Sequence, residues 1–300
     1  MAKLLRDLLE RNVLNRMAMP KHFPDSVQYM TIMGSEAYGV SNEGVSDRDI
    51  YGFCIPEKHV IFPHLAGHIP GFGQQPEKFD QWMVHHIKDE EKGTEYDFCI
   101  YNIVKYFSLV MENNPNMVDS LFTPHNAILH CSPIAQMVRD ERHIFLHKGS
   151  WHKFKGYAYS QMHKIRSKEE PQGKRKELVE KFGYDVKFAY HVVRLIDECD
   201  QILNEETLDL QRNREKLKSI RRGEWKLEDI EEYFTRREKD LETAYANSKL
   251  PHSPDEKKIR QLLMNCLEHH YGNLSECVVN VDAATLALQD IATILRKSGH

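Results

Sequence analysis

The chain has 300 residues, of which 41% are hydrophobic and 29% are charged, so it is long enough to bury one large core or two modest ones. Its formal net charge of -4 excludes a protein coated in basic surface, so a nucleic-acid partner would have to be held by a local basic patch. Six cysteines without a C-x-x-C pair argue against a disulfide framework or a zinc-thiolate site.

The first predicted element is an amphipathic helix at the amino terminus, in MAKLLRDLLERNVL. Charges interrupt its apolar residues, so it lacks the continuous apolar segment of a secretion signal. No later run approaches the roughly 18 uncharged apolar residues that a membrane-spanning helix needs. The sequence therefore predicts a cytoplasmic protein without a membrane partner.

Short runs of aromatic and β-branched residues, bounded by Gly, Pro, Asn or Lys-Gly breaks, predict four strands before about residue 101. These runs are SVQYMTIM, DIYGFCIP, FDQWMVHHI and EYDFCIY. Beyond them the apolar spacing is helical, in NIVKYFSLVMENNP, in YDVKFAYHVVRLIDECDQIL, over 224 to 250 and over about 255 to 271. The pattern predicts an α+β protein, with a small mixed sheet followed by a helical half.

A glycine-serine turn follows the first predicted strand. Gly34 and Ser35 are small enough for close backbone approach, and a helix that begins there would turn its free N–H groups outward, an arrangement that favours phosphate. The next strand, SDRDIYGFCI, places Asp47 and Asp49 on one face because strand side chains alternate. Two such carboxylates repel each other unless a cation lies between them, and magnesium suits the pair.

A third carboxylate would complete a two-metal site. Asp97, in the strand EYDFCIY, is the candidate, and Glu95 is the alternative because it has the same parity. The sequence does not fix the strand register that decides between them. Taken alone, Asp47 and Asp49 also fit an exposed strand edge with two solvated acids, or an acid that caps a turn.

Three polar residues lie on one face of a predicted helix in the second half. Lys187, His191 and Arg194 occupy positions i, i+4 and i+7, so all three can contact a phosphate or a base. The same pattern fits a solvated face paired with Glu180 or Asp185, and it fits a histidine satisfied within the core.

Two basic stretches concentrate positive charge in the helical half. Residues 211 to 226 carry seven Lys or Arg against two Glu, and residues 163 to 187 carry eight against five acids. Such stretches can follow a polynucleotide by phosphate contacts, and they also fit an exposed charged helix and a loop. The pairs His85-His86 and His269-His270 do not predict a chelate, because adjacent side chains point in different directions.

These motifs carry a family resemblance. GSEAYGVSNEGVSDRDIYGF resembles the signature of the DNA polymerase β-like nucleotidyltransferase superfamily. Further segments are similar to a family of predicted nucleotidyltransferases that includes RNA-ligase-associated, RNA-repair-linked members of bacteria and phages. These segments are residues 96 to 122, KGYAYSQMHKIR, GYDVKFAYHVVRLI and SKLPHSPD, so the resemblance covers most of the chain.

The resemblance implies a catalytic domain over residues 1 to 125 and a helical domain over residues 126 to 300 that closes over nucleotide and acceptor. It implies two Mg²⁺ ions, or Mn²⁺, held by Asp47, Asp49 and Asp97. The nucleotide-binding residues would be Gly34, Ser35, Ser46, Lys187, His191 and Arg194. Glu36 departs from the family pattern, because an arginine or leucine is frequent at this position and an acid here stands near the phosphates.

The implied activity is transfer of a nucleoside monophosphate from an NTP to an acceptor hydroxyl, with release of pyrophosphate. RNA, either tRNA or an RNA end, is the preferred acceptor and would be held by the basic helical half. Transfer onto a protein hydroxyl, as in AMPylases of the same fold, is the first alternative. A nucleotide-binding module without catalysis is the second, although a silent copy has no reason to keep three repelling acids together.

Overall fold

The computed structural model describes residues 2–41, 46–62, 69, 72–73, 78–167 and 174–272. These ranges contain a five-stranded mixed sheet followed by a largely helical region, which confirms the predicted α+β class. The strands are β1 (Val27–Ile32), β2 (Ser46–Cys54), β3 (Gln81–Asp89), β4 (Thr94–Asn102) and β5 (Ile128–Cys131), and they lie in the spatial order β3-β4-β2-β1-β5. The four predicted strands are present, and β5 joins the sheet from beyond the change to helix.

The helices predicted from apolar spacing are present in these ranges, together with others for which no individual spacing was identified. They are α1 (Lys3–Glu10), α2 (Gly34–Ala37), α3 (Lys58–Ile61), α4 (Ile103–Met111), α5 (Pro115–Phe122), α6 (Pro133–Asp140), α7 (Ser150–Arg166), α8 (Lys174–Phe182), α9 (Val186–Glu205), α10 (Arg214–Arg221), α11 (Leu227–Asn247) and α12 (Glu256–Tyr271). Their ends follow local chemistry. Asp185 caps α9 by accepting hydrogen bonds from the backbone N–H groups of Lys187 and Phe188, at 2.8 and 3.3 Å.

The central strand pair of the sheet is parallel, whereas the pairs around it are antiparallel. In the pairing of β2 with β4, Asp49 lies opposite Asp97 and Asp47 lies opposite Glu95. Because side chains alternate along each strand, all four acids emerge on the same face of the sheet. The fold therefore gathers the candidate metal ligands at the amino-terminal ends of two neighbouring strands.

The two faces of the sheet belong to two hydrophobic clusters. Ile50 and Phe98 face the first cluster, where the buried Leu5 and Leu8 of α1 also lie. Phe53 faces the second cluster, which extends through the helical half as far as α12. The second face is also the acidic one. The predicted domain boundary at residue 125 lies at a short 3₁₀ turn, and the second hydrophobic cluster contains residues from both sides of it.

Candidate active site

The backbone of the turn that follows β1 lies against Asp49. The Met33 N–H donates a 2.7 Å hydrogen bond to the backbone oxygen of Asp49, and Gly34 has φ of +64°. A Cβ atom at Gly34 would lie 2.5 Å from Asp49 Oδ2. Both the backbone conformation and the available space therefore require glycine here. The half-buried Ser35 follows in α2, which is a single helical turn.

Three carboxylates converge at the sheet end of this turn. Asp47 and Asp49 keep solvent contact, and Asp97 is half-buried. Loss of surrounding water raises the pKa of Asp49 above its usual range, and the negative charges of Asp97 and Asp47 raise it further, whereas Lys187 opposes the shift. A cluster of oxygen donors whose charges repel is the environment that a hard divalent cation neutralises. The residues present therefore fit a Mg²⁺ or Mn²⁺ site.

The helical half supplies the opposite wall of the cleft. Lys187, His191 and Arg194 all line the same cavity as Gly34, Ser35, Asp47 and Asp49. Lys187 is exposed, His191 is half-buried and Arg194 is buried. The predicted helix face is thus turned towards the acids. The backbone of Ser46 opens β2, and its side chain lies outside the described part of the chain.

Arg194 has a different environment from the one expected for a phosphate ligand. Its Nη1 atom donates hydrogen bonds to the carboxylates of Asp119 and Glu198, at 2.5 and 2.9 Å, and to the Tyr38 hydroxyl at 2.8 Å. The Tyr38 hydroxyl also donates to Asp119 Oδ2 at 2.7 Å. The guanidinium is therefore engaged with acids beneath the cleft, and it links the residue just after α2 to helices α5 and α9.

Burial shifts the pKa values of Asp119, Glu198 and Arg194. It raises the pKa of Asp119, and it raises the pKa of Glu198 well above its usual range. For Arg194, burial alone would lower the pKa, but Glu198, Tyr38 and Asp119 together raise it well above its ordinary value. The arginine stays charged and acts as the cation that permits two carboxyls to be buried side by side.

Arg221 is a cleft residue that the sequence analysis did not identify as one. It was counted with the basic stretch 211 to 226, yet its guanidinium lines the acidic cleft, donates to the Val40 backbone oxygen and lies 5.4 Å from the ring centre of Tyr190. The neighbouring Arg222 is exposed and pairs with Glu224. The two arginines therefore have different surroundings, although they are adjacent in the sequence.

Acids nearby neutralise much of the remaining stretch. Lys216 Nζ lies 2.8 Å from the buried Asp197 carboxylate, and Lys218 pairs with Glu215 at 3.2 Å. Several charges of this stretch are thus already paired with acids of the same chain, and its contact with a polynucleotide stays a prediction. Glu36, the acid that departs from the family pattern, is paired in a similar way. It accepts a 3.0 Å hydrogen bond from Arg48 Nε.

The pair His85-His86 lies beside the acids, and the expectation that its side chains diverge is wrong. The register of β3 against β4 shifts between Val84 and Ile87, and His86 has φ of +60°. Both imidazoles consequently approach acids of β4: His85 Nδ1 lies 3.5 Å from Asp97 Oδ2, and His86 Nδ1 lies 2.5 Å from Glu95 Oε1. A β-bulge cancels the alternation on which the expectation depended.

Comparison with known proteins gives the family of this chain. The family model described as "RlaP: RNA repair pathway DNA polymerase beta family" matches residues 9–270. The chain belongs to this family. It is thus a polymerase β-type nucleotidyltransferase family member linked to an RNA repair pathway, and membership implies an NTP substrate and use of a divalent metal.

Among solved structures, the chain is similar to a nucleotidyltransferase-like protein from Exiguobacterium sibiricum 255-15, with 7% identity and a TM-score of 0.29 over 100% of this chain and 92% of the other. No curated protein matches the chain. In the residues that the structure describes, none of the helices combines the length and the apolar character needed to cross a bilayer.

Proposed function

We propose that this protein transfers a nucleoside monophosphate from an NTP to an acceptor hydroxyl and releases pyrophosphate. The observation that carries the proposal is the cleft itself, in which Asp47 and Asp49 face a wall that bears Lys187 and Arg221, while Asp97 lies opposite Asp49 on the neighbouring strand. Paired carboxylates opposite cations fit a metal-bound triphosphate better than a solvated strand edge does.

In the proposed reaction, the acceptor oxygen forms a bond to the α-phosphorus while the bond from that phosphorus to the β-phosphate oxygen breaks. Two Mg²⁺ ions held by Asp47, Asp49 and Asp97 would polarise the attacking hydroxyl and neutralise the leaving pyrophosphate. Lys187 and Arg221 attract the triphosphate from the opposite wall. The proton of the attacking hydroxyl passes to Asp97, the carboxylate farthest from Gly34 along the sheet.

The turn at Gly34 and Ser35 sets the position of the triphosphate in this proposal. The absence of a side chain at Gly34 leaves open the space beside Asp49 Oδ2, so a phosphate held by the turn would lie next to a proposed metal ligand. Residues 126 to 300 would close over the nucleotide, and Ser46 and His191 would complete its contacts. Arg194 would act by holding Tyr38, and through it the turn, in place.

RNA is the proposed acceptor, which the link of the family to an RNA repair pathway supports. Tyr51 lines the cleft and Tyr157 is 39% exposed, and aromatic rings of this kind stack on unpaired bases. An RNA end, which presents both a hydroxyl and an unstacked base, matches these surroundings.

Incubation with each α-labelled NTP, mixed RNA and mixed protein tests the proposal, with Mg²⁺ and Mn²⁺ in parallel. Label in the RNA fraction that is lost in Asp49→Asn supports it. Label in the protein fraction would replace RNA by a protein hydroxyl as acceptor. Bound NTP without label in either fraction would leave a nucleotide-binding module, and the proposed transfer would be refuted. The matched control is Asp80→Asn, which neutralises a half-buried aspartate before β3 that pairs with Lys78.

A further inference from the structure

The β-bulge in β3 sets two histidines opposite one acid. Val84 pairs with Phe98 and Ile87 pairs with Tyr96, so two residues of β3 stand against Asp97 alone. An extra residue of this kind re-aims the side chains around it. The left-handed backbone of His86 then turns its imidazole to the acidic face of the sheet.

The donor atoms at this bulge lie close together. His86 Nδ1 is 2.5 Å from Glu95 Oε1, and the His86 backbone N–H donates a 2.7 Å hydrogen bond to Asp97 Oδ1. One ligand atom from each of His86, Glu95 and Asp97 lies within 4.8 Å of the other two. The imidazole is exposed and both acids are half-buried, so an ion can enter from solvent.

We propose that His86, Glu95 and Asp97 form a transition-metal site, for Zn²⁺ or Mn²⁺, that adjoins the acid pair Asp47 and Asp49 and shares Asp97 with it. An imidazole nitrogen with two carboxylate oxygens is a donor set for these ions, whereas Mg²⁺ prefers oxygen ligands alone. Three protein ligands leave coordination positions for water or for a substrate oxygen. The site does not depend on nucleotidyl transfer.

The distances fit an ion that enters between the three groups. At Zn–N of about 2.0 to 2.1 Å and Zn–O of about 2.0 to 2.2 Å, neighbouring ligand atoms of a tetrahedral ion lie roughly 3.3 Å apart. The 2.5 Å contact of His86 with Glu95 therefore has to open, and the wider separations have to close. Rotation of the exposed imidazole and of the solvent-accessible carboxylates makes both adjustments without moving the sheet. His85, whose Nδ1 lies 3.5 Å from Asp97 Oδ2, can fix the orientation of the shared carboxylate.

Calorimetric titration of the metal-free full chain with Zn²⁺, without nucleotide, tests the site. His86→Asn removes the imidazole while keeping a residue type that tolerates positive φ, and Glu95→Gln removes a charge without a change of shape. Each should weaken Zn²⁺ binding at least about tenfold. The control His269→Ala, in the other histidine pair, should stay within about threefold of wild type. The double variant Asp47→Asn/Asp49→Asn removes neighbouring charge but none of the three ligands, so it should weaken binding less than His86→Asn or Glu95→Gln does.

Three results would overturn the proposal. The first is the absence of Zn²⁺ binding to wild type. The second is binding that His86→Asn and Glu95→Gln both leave unchanged, which would assign the contact to an ordinary His–Glu ion pair. The third is loss of binding in the Asp47→Asn/Asp49→Asn variant, which would assign the ion to the acid pair. None of these results bears on labelling of an acceptor from NTP, so the two proposals fail separately.

Discussion

Replacement of Gly34 by alanine tests whether the turn after β1 and the Asp49 carboxylate have to share one space. Gly34 has φ of +64°, and the added Cβ would lie 2.5 Å from Asp49 Oδ2. To reach ordinary contact, the carboxylate or the turn must move by about 1 Å. The substitution therefore adds backbone strain and also displaces a proposed metal ligand.

These two effects have different magnitudes. An alanine in the left-handed region costs about 1 to 2 kcal/mol, so the free energy of unfolding should fall by about that amount. A 1 Å displacement at a reacting centre can cost about 100-fold in rate. We therefore expect kcat/KM for nucleotidyl transfer to fall about 100-fold in Gly34→Ala, while the protein remains folded.

Gly93→Ala is the matched control, because Gly93 has φ of +60° and its added Cβ would meet nothing within 4 Å. Urea denaturation gives the free energy of unfolding of both variants, and pyrophosphate release gives kcat/KM with the NTP and acceptor that labelling identifies. Both variants should lose similar stability, and only Gly34→Ala should lose activity. Wild-type activity in Gly34→Ala, or an equal loss of activity in Gly93→Ala, would refute the reasoning.

Further predictions concern the arginines. In Arg194→Met, the free energy of unfolding should fall by about 3–5 kcal/mol in urea denaturation, because Asp119 and Glu198 lose the buried cation that pairs with them; a change below 1 kcal/mol contradicts this. Burial raises the pKa of both carboxyls above the unfolded-state value, so their contribution to stability is largest at low pH and is lost as pH rises. The deficit of Arg194→Met should therefore shrink between pH 8 and pH 5, and a constant deficit would argue against this origin. Arg221→Gln should weaken NTP binding about tenfold in a fluorescence titration, since its charge faces the cleft, whereas the exposed Arg222→Gln should stay within twofold; equal losses would contradict the cleft assignment.

The strands and the paired acids were predictable because their signals are local. Runs of aromatic and β-branched residues between Gly, Pro and Asn breaks define β1 and β2, and the alternation of side chains along a strand places Asp47 and Asp49 on one face. The helices α9, α11 and α12 carry their own apolar spacing and caps, and the structure gives them nearly the predicted bounds. Each of these predictions depends only on residues within one element.

The choice of the third acid and the surroundings of the two arginines depend on contacts between distant parts of the chain. Glu95 and Asp97 have equal parity, so only the pairing of β2 with β4 shows that Asp97 lies beside Asp49. Helix periodicity placed Arg194 on the same face as Lys187, but the buried environment of Arg194 depends on Asp119, which is 75 residues away in the sequence. Arg221 reaches the cleft through a contact with Val40, 181 residues away. Periodicity within an element contains no information on such distances.

The second hydrophobic cluster has a consequence for how this protein can change during evolution. Phe53 of the sheet and the apolar residues of the helical half are members of one cluster, and Tyr38 is held by Arg194 from the helical half. A gene rearrangement that joined this sheet to an unrelated helical partner would uncover that apolar surface and release the residue that follows the glycine-serine turn. The two halves are therefore expected to be inherited together, and new acceptor preferences are expected to arise by substitution along the cleft and not by exchange of the helical half.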